Sequence, residues 1–300
     1  MAQPFQVRAS DTEELKGYYW PAEAARANLC VMTGMNEYAY RYNDFALWMN
    51  AHGVNVWVLD AFGQGRNVSS PEEQQRWPEG AFMKTVNAIH RMNLIASQNG
   101  LITAQMGHSM GSFLTQALIE KFPGGTDRVI LCGSNGGQDG LMKFGYALSR
   151  ILVHKGGWDK KSNFLQQMGL GSYARAVKGR KTDFDWLSYN EENVQKYIND
   201  PFCGYPNTGG FWREFLKGMS AIWDKNNLER ISLAEKILII AGAEDPVGRM
   251  GKGPKWLGRT YKKLGVERVE VKIYPQMRHE ILNEKDCETV YKDILQFICG

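Results

Sequence analysis

The stretch Leu101-Ile102-Thr103-Ala104-Gln105-Met106-Gly107-His108-Ser109-Met110-Gly111 decides how this chain is read. Its first six residues have the composition of a buried strand. Beyond it, Phe113, Leu114, Ala117 and Leu118 repeat with the spacing of one helix face. Between strand and helix lies G-x-S-x-G, in the context that gives this pattern chemical meaning. A sharp strand-to-helix turn strains the serine backbone and exposes its hydroxyl at the sheet edge. The flanking glycines leave room for the turn, and the free N–H groups opening the helix face whatever negative charge develops beside the serine. Ser109 is therefore a candidate nucleophile; the alternative is a serine that merely caps an ordinary helix.

Outward from this turn, short β-rich stretches alternate with helical patterns, which predicts a mostly parallel sheet flanked by helices. Leu15–Trp20 reads as an early edge strand, Asn28–Thr33 as a buried strand broken at Gly34, and Val54–Leu59 as the next. Arg128–Cys132, Lys236–Ala241 and Val269–Tyr274 complete the strands. Helices are expected over Asp44–His52, Glu79–Gln98 and the C-terminal segment carrying Val290, Ile294, Phe297 and Ile298. The alternation stops between about Gln138 and Ile231. We expect residues 138–231 to form a mainly helical cap inserted into a core made of 1–137 and 232–300, over the sheet edge where ligands bind in such folds.

A serine hydroxyl needs a base to take its proton, and the base needs an acid to hold its tautomer. Of the five histidines, only His279 lies in a short loop after a strand and near the C-terminus. The order Ser…Asp/Glu…His then asks for an acid at the end of the strand over 236–241. Asp245 is the choice, with Glu244 as alternative; Pro246 biases Asp245 to an extended backbone. An oxyanion would be met by the backbone N–H groups of Met110, after the serine, and Met35, in the loop after an early strand. This chemistry calls for no metal or organic cofactor.

These segments resemble the monoglyceride lipase and lysophospholipase branch of the α/β-hydrolases, which is also grouped with serine aminopeptidases. Thr33-Gly34-Met35-Asn36-Glu37…Arg41-Tyr42 is similar to the family's H-G-x-G-E-x-x-x-R-Y segment. Asp60…Gly63-Gln64-Gly65-Arg66-Asn67 is similar to its D-x-x-G-H-G-x-S turn. The elbow, the acid loop at Gly242…Asp245 and Arg278-His279-Glu280 match in the same order. Thr33, Asn36, Gln64 and Asn67 depart from the pattern, and none of them is a triad position. The resemblance implies an α/β-hydrolase fold and a serine hydrolase acting on carboxylic esters of monoacylglycerol or lysophospholipid type through an acyl-enzyme. It implies Glu37 and Arg41 as a charge pair that fixes the loop. A peptidase or amidase using the same triad, or a non-catalytic ligand-binding relative, remains the alternative.

Composition narrows the field. At 43% apolar and 23% charged with net charge +4, the chain reads as an ordinary globular protein. No zinc-type spacing, RNA-binding signature or long basic run speaks for nucleic acid. Five scattered cysteines without C-x-x-C suit reduced thiols in a cytoplasm. Met1–Phe5 lacks the basic start and apolar core of a secretory signal, and no apolar run reaches membrane-spanning length. Leu141, Phe144, Leu148, Ile151 and Leu152 form an apolar stripe followed by the basic residues of 155–181. This pairing could receive an acyl chain and an anionic head group, with Phe144, Leu148 and Trp186 as substrate contacts. It could equally rest on a membrane surface, or be core packing beside a solvated face.

Overall fold

The buried runs read from the sequence become neighbouring strands of one sheet because each presents apolar side chains on both faces, leaving helices to cover both sides. The computed structural model describes residues 1–137 and 140–300, with side chains for all of these except residues 140 and 141. Its strands are β1 (Gln3–Arg8), β2 (Glu14–Trp20), β3 (Ala27–Met32), β4 (Val54–Leu59), β5 (Ile102–His108), β6 (Arg128–Cys132), β7 (Lys236–Gly242) and β8 (Arg268–Tyr274). They form one eight-stranded sheet in the order β1-β2-β4-β3-β5-β6-β7-β8. β3 through β8 run parallel, and β2 is antiparallel to both of its neighbours.

Helices α1 (Asn43–Ala51) and α11 (Cys287–Cys299) cover one face; α2 (Ala81–Ala96), α3 (Met110–Lys121) and α10 (Lys252–Leu264) cover the other. Strand alternation sorts the two cores. In β3, Leu29 and Val31 pack with Phe45 and Ile294, while Cys30 and Met32 pack with Ile89 and Leu114. From β3 the chain crosses through α1 to β4, then returns through α2 on the opposite face to β5. The crevice above the carboxyl ends of β3 and β5 is thus the topological switch point, where open α/β sheets bind ligands. The loop at Gly34 and the turn at Ser109 leave the sheet there.

Between β6 and β7 the chain forms α4 (Gly140–His154), α5 (Asn163–Met168), α6 (Leu170–Ala176), α7 (Glu191–Asn199), α8 (Gly209–Ala221) and α9 (Lys225–Leu228). Phe211, Trp212, Phe215 and Met219 of α8 merge with the core under α2 and α3. The expected cap starts at residue 138, and residues 138 and 139 lie outside the described residues, as does the side chain of Leu141.

Two expectations need correction. The strand over 15–20 is not an edge: β1 pairs along it from Gln3 opposite Tyr19 to Arg8 opposite Glu14. β1 offers only Phe5 and Val7 in alternation, too little to stand out, and its Pro4 suits the edge where one N–H can be spared. α10 was not anticipated either. Its buried residues Leu257 and Tyr261 sit one turn apart, but Gly253, Pro254 and Gly258 dilute the helical signal.

Among the described residues, no helix is long and apolar enough to cross a membrane. The tightest approach supporting the switch point is Gly111 against β3, where a Cβ would stand 2.1 Å from the Met32 carbonyl oxygen. Gly111→Ala should therefore lower stability by about 1–3 kcal/mol or more, because backbone cannot yield as a side chain does. Thermal unfolding of the variant beside the parent measures this.

Candidate active site

Ser109 stands between β5 and α3 at φ 52, ψ −118, a region that non-glycine residues adopt only under constraint. Its N–H donates to the Cys132 carbonyl at 2.9 Å. A Cβ at position 107 would lie 2.2 Å from the Gly111 carbonyl oxygen, so the turn closes tightly on both sides. The Ser109 side chain makes no capping bond to α3. The helix-cap alternative is thereby excluded, and the hydroxyl is left to face a cavity.

His279 and Asp245 meet over a separation of 34 residues. His279 Nδ1–H donates to Asp245 Oδ1 at 3.0 Å, and both side chains are buried. The same Asp245 oxygen accepts the Val247 N–H at 2.8 Å. The bond from Nδ1 to Asp245 sets the tautomer and leaves Nε2 as the acceptor nitrogen. Among the described residues Nε2 has no hydrogen-bond partner, and His279 lines the same cavity as Ser109. Glu244 is engaged elsewhere, accepting the Tyr189 hydroxyl.

The loop after β3 is held by side-chain acceptors on either side of Met35. Gly34 N–H is taken by Glu37 Oε1 at 2.5 Å and Asn36 N–H by Gln64 Oε1 at 3.2 Å. Among the described residues Met35 N–H, between them, has no partner. The Gln64 amide nitrogen donates to the carbonyls of Gly34, at 2.9 Å, and Glu37, at 2.8 Å. Asn36 takes the left-handed conformation, φ 62, that asparagine tolerates better than most residues. Met110, the first residue of α3, has an N–H that intrahelical bonding does not use.

The cavity encloses about 180 Å³ and its lining is mainly apolar. Besides Ser109 and His279, it is walled by Met35, Phe113, Met142, Leu165, Tyr173, Trp186, Phe215, Met219 and Trp223. Trp186 lines it, its ring 5.1 Å from that of His279. Phe144 and Leu148 are not. α4 turns Met142 and Gly145 to the cavity, leaves Phe144 59% exposed and packs Leu148 on the core. The apolar spacing was sound, but it does not say which face of a helix meets the cavity.

This geometry can be set beside known proteins. A family model described as serine aminopeptidase, S33, matches residues 23–286. The chain belongs to this family. Its members' architecture is shared closely by a thermostable carboxyl esterase from Bacillus coagulans, solved in complex with glycerol. That structure is 25% identical and superposes with a TM-score of 0.89 over 99% of this chain and 97% of the other. A soluble variant of monoglyceride lipase from Saccharomyces cerevisiae, solved with a substrate analogue, is 16% identical, with a TM-score of 0.77 over 99% and 94%. A monoacylglycerol lipase of Mycolicibacterium smegmatis is 22% identical over 280 residues, 93% of this chain and 90% of that protein. The fold is that of the α/β-hydrolases.

Within this S33 chain, a buried charge cluster ties the loop at Gly34 to that at His279. Glu37 Oε1 also accepts from the Tyr42 hydroxyl, at 2.8 Å, and His108 Nδ1, at 3.0 Å; Oε2 accepts from Arg41 at 3.1 Å. Arg41 grips Glu280 with both terminal nitrogens, at 2.8 and 3.0 Å. His108 Nε2 lies 3.4 Å from the His279 carbonyl, so both of its nitrogens face acceptors. Burial disfavours charge on His108, but Glu37 outweighs it and lifts the imidazole above its ordinary value. Burial likewise opposes charge on Glu280, yet Arg41 and the Asn193 amide hold its carboxyl down to about 2. The resemblance implied Glu37 and Arg41 as a pair. It gave no sign of a partner for His108, inside the turn, or of Glu280 as Arg41's second partner.

A second carboxylate joins the segment before α7 to the histidine loop. Glu284 accepts the Ser188 hydroxyl at 2.7 Å, the Asn190 N–H at 3.2 Å and the Arg278 N–H at 2.8 Å. Glu280 N–H adds a bond to the Leu187 carbonyl at 2.7 Å. Nothing in the local sequence pattern around Glu284 announces this, because its partners Ser188 and Asn190 lie nearly a hundred residues away.

Because the folded carboxyl of Glu280 titrates near 2 and an unfolded one near 4, its stabilisation is complete above about pH 4 and is lost as pH falls towards 2. Glu280→Gln should cost about 2–3 kcal/mol at pH 7, because buried Arg41 loses its two-point carboxylate partner and keeps the single bond to Glu37. The gap to the parent should narrow below pH 4, where the parent's own carboxyl takes up a proton. Denaturant unfolding of both proteins across that range checks the sign.

Proposed function

We propose that this chain is a serine hydrolase of carboxylic esters, of monoacylglycerol or lysophospholipid type, working through an acyl-enzyme. The observation that carries the reading is His279 Nε2, which among the described residues has no hydrogen-bond partner. Its ring is anchored through Nδ1 on buried Asp245, and it shares one apolar cavity with the strained Ser109. In this reading His279 takes the Ser109 proton as Oγ bonds to the ester carbonyl carbon, and Asp245 steadies the imidazolium. The N–H groups of Met35 and Met110 receive the oxyanion. The C–O bond to the alcohol then breaks, and His279 returns the proton to the departing oxygen. Water repeats the sequence on the acyl-serine, releasing the carboxylic acid and restoring the hydroxyl.

The relatives support the choice of ester: those named above are a carboxyl esterase and monoacylglycerol lipases. The mainly apolar wall supports an acyl chain rather than a peptide. The family's aminopeptidase description keeps amide cleavage as the second reading, since fold and triad do not fix the leaving group.

We read residues 138–231 as a cap and assign the protein to the cytoplasm, where its five free thiols would stay reduced. On the cap, Phe144, Ile151 and Phe164 are 59, 53 and 62% exposed, and Lys143, Arg150, Lys155 and Lys160 of the same stretch of sequence are exposed as well. Exposed apolar side chains interspersed along the sequence with exposed cations suit contact with an anionic lipid surface or head group.

Ser109→Ala should keep its fold and lose ester turnover by about 10³-fold or more. A p-nitrophenyl ester series beside aminoacyl anilides, with a fluorophosphonate probe mapped to its residue, tests the assignment. Strong residual esterase activity, or a parent that ignores both esters and probe, would count against it. Reversing Lys155, Lys160 and Lys178 to Glu should reduce turnover of lysophospholipids several times more than that of neutral monoacylglycerols. Equal losses on the two substrates would remove the head-group role.

A further inference from the structure

Trp223, just beyond α8, holds a left-handed backbone with φ 68, a conformation that a bulky side chain keeps only where its surroundings impose it. Two buried side chains of α3 impose it. Trp223 N–H donates to Glu120 Oε1 at 3.2 Å, and its indole N–H donates to Gln116 Oε1 at 2.6 Å. Gln116 is itself pinned, its amide nitrogen donating to Ser134 Oγ at 3.0 Å and to the Asn135 carbonyl at 3.2 Å. The Trp223 ring meets Trp256 of α10 edge-on at 6.3 Å.

Trp223 lines the cavity, whereas Gln116, Glu120, Trp256 and Tyr261 do not. The indole therefore stands between the cavity and a solid backing. Gln116 lies two helical turns along α3 from Ser109, about 10 Å at the ordinary helical rise. A leucine or methionine at this position could swing aside to admit a longer chain. An indole with both N–H groups engaged cannot do so without stranding buried acceptors.

We infer that Trp223 ends the acyl site and sets the substrate class: esters of medium-length saturated acyl groups, with longer chains stopped by the clamped indole. The inference rests on the ester-hydrolase reading above and goes beyond it by naming the residue that selects chain length.

The test measures kcat/KM for p-nitrophenyl acetate, butyrate, octanoate, dodecanoate and palmitate with the parent, Trp223→Ala and Trp223→Leu. The parent should peak near octanoate and fall by dodecanoate. In either variant the dodecanoate-to-octanoate ratio should rise about tenfold for every two methylenes newly buried. A ratio taken within one preparation does not depend on how much of it is folded. A parent that turns over palmitate as well as octanoate, or variants with unchanged ratios, would overturn the role of Trp223 while leaving the hydrolase intact. A parent with no turnover of any ester would overturn the hydrolase reading instead.

Discussion

Glu37 is the group on which the arrangement of the site depends. One buried carboxylate receives the Gly34 N–H, the Tyr42 hydroxyl, the His108 imidazole and the Arg41 guanidinium. Through Gly34 it shapes the loop that carries Met35. Through His108 it reaches the carbonyl of His279, and through Arg41 it reaches Glu280, the next residue. Two loops separated by more than two hundred residues are thus referenced to one anion. A charge so deeply placed costs several kcal/mol to desolvate unless every oxygen is satisfied, so the cluster holds together as a unit.

The second constraint is steric. The switch point opens a crevice above β3 and β5, and the turn at Ser109 fits there only because Gly111 lies against the Met32 carbonyl. The strained serine backbone, the opening of α3 and the loop after β3 meet at this contact. Electrostatics then organises what sterics has brought together. Gln64 illustrates the division: it stands at the histidine of the D-x-x-G-H-G-x-S pattern that this turn resembles, yet its amide can bond both sides of the loop at once, donating to two carbonyls and accepting one N–H.

Much of this was legible along the chain. The inner strands carry nearly continuous apolar runs, so β4 and β6 were bounded correctly and β3, β5, β7 and β8 to within a residue or two at most. Ser109, Asp245 and His279 could be selected because each follows a strand and their order is constrained. β1 was silent, since an exposed edge strand needs little apolar alternation. α10 was diluted by glycines and a proline.

Sequence alone determined the order of strands and helices, the strand-to-helix turn at Ser109 and the candidates for base and acid, because hydrophobic period and turn chemistry are local properties. Tertiary structure alone decided which face of α4 meets the cavity, why Asp245 rather than Glu244 receives the imidazole, and that His108, Glu280 and Glu284 bind the loops together. Those outcomes depend on contacts between residues far apart in the chain, where direction and distance are set by packing and leave no trace in local spacing.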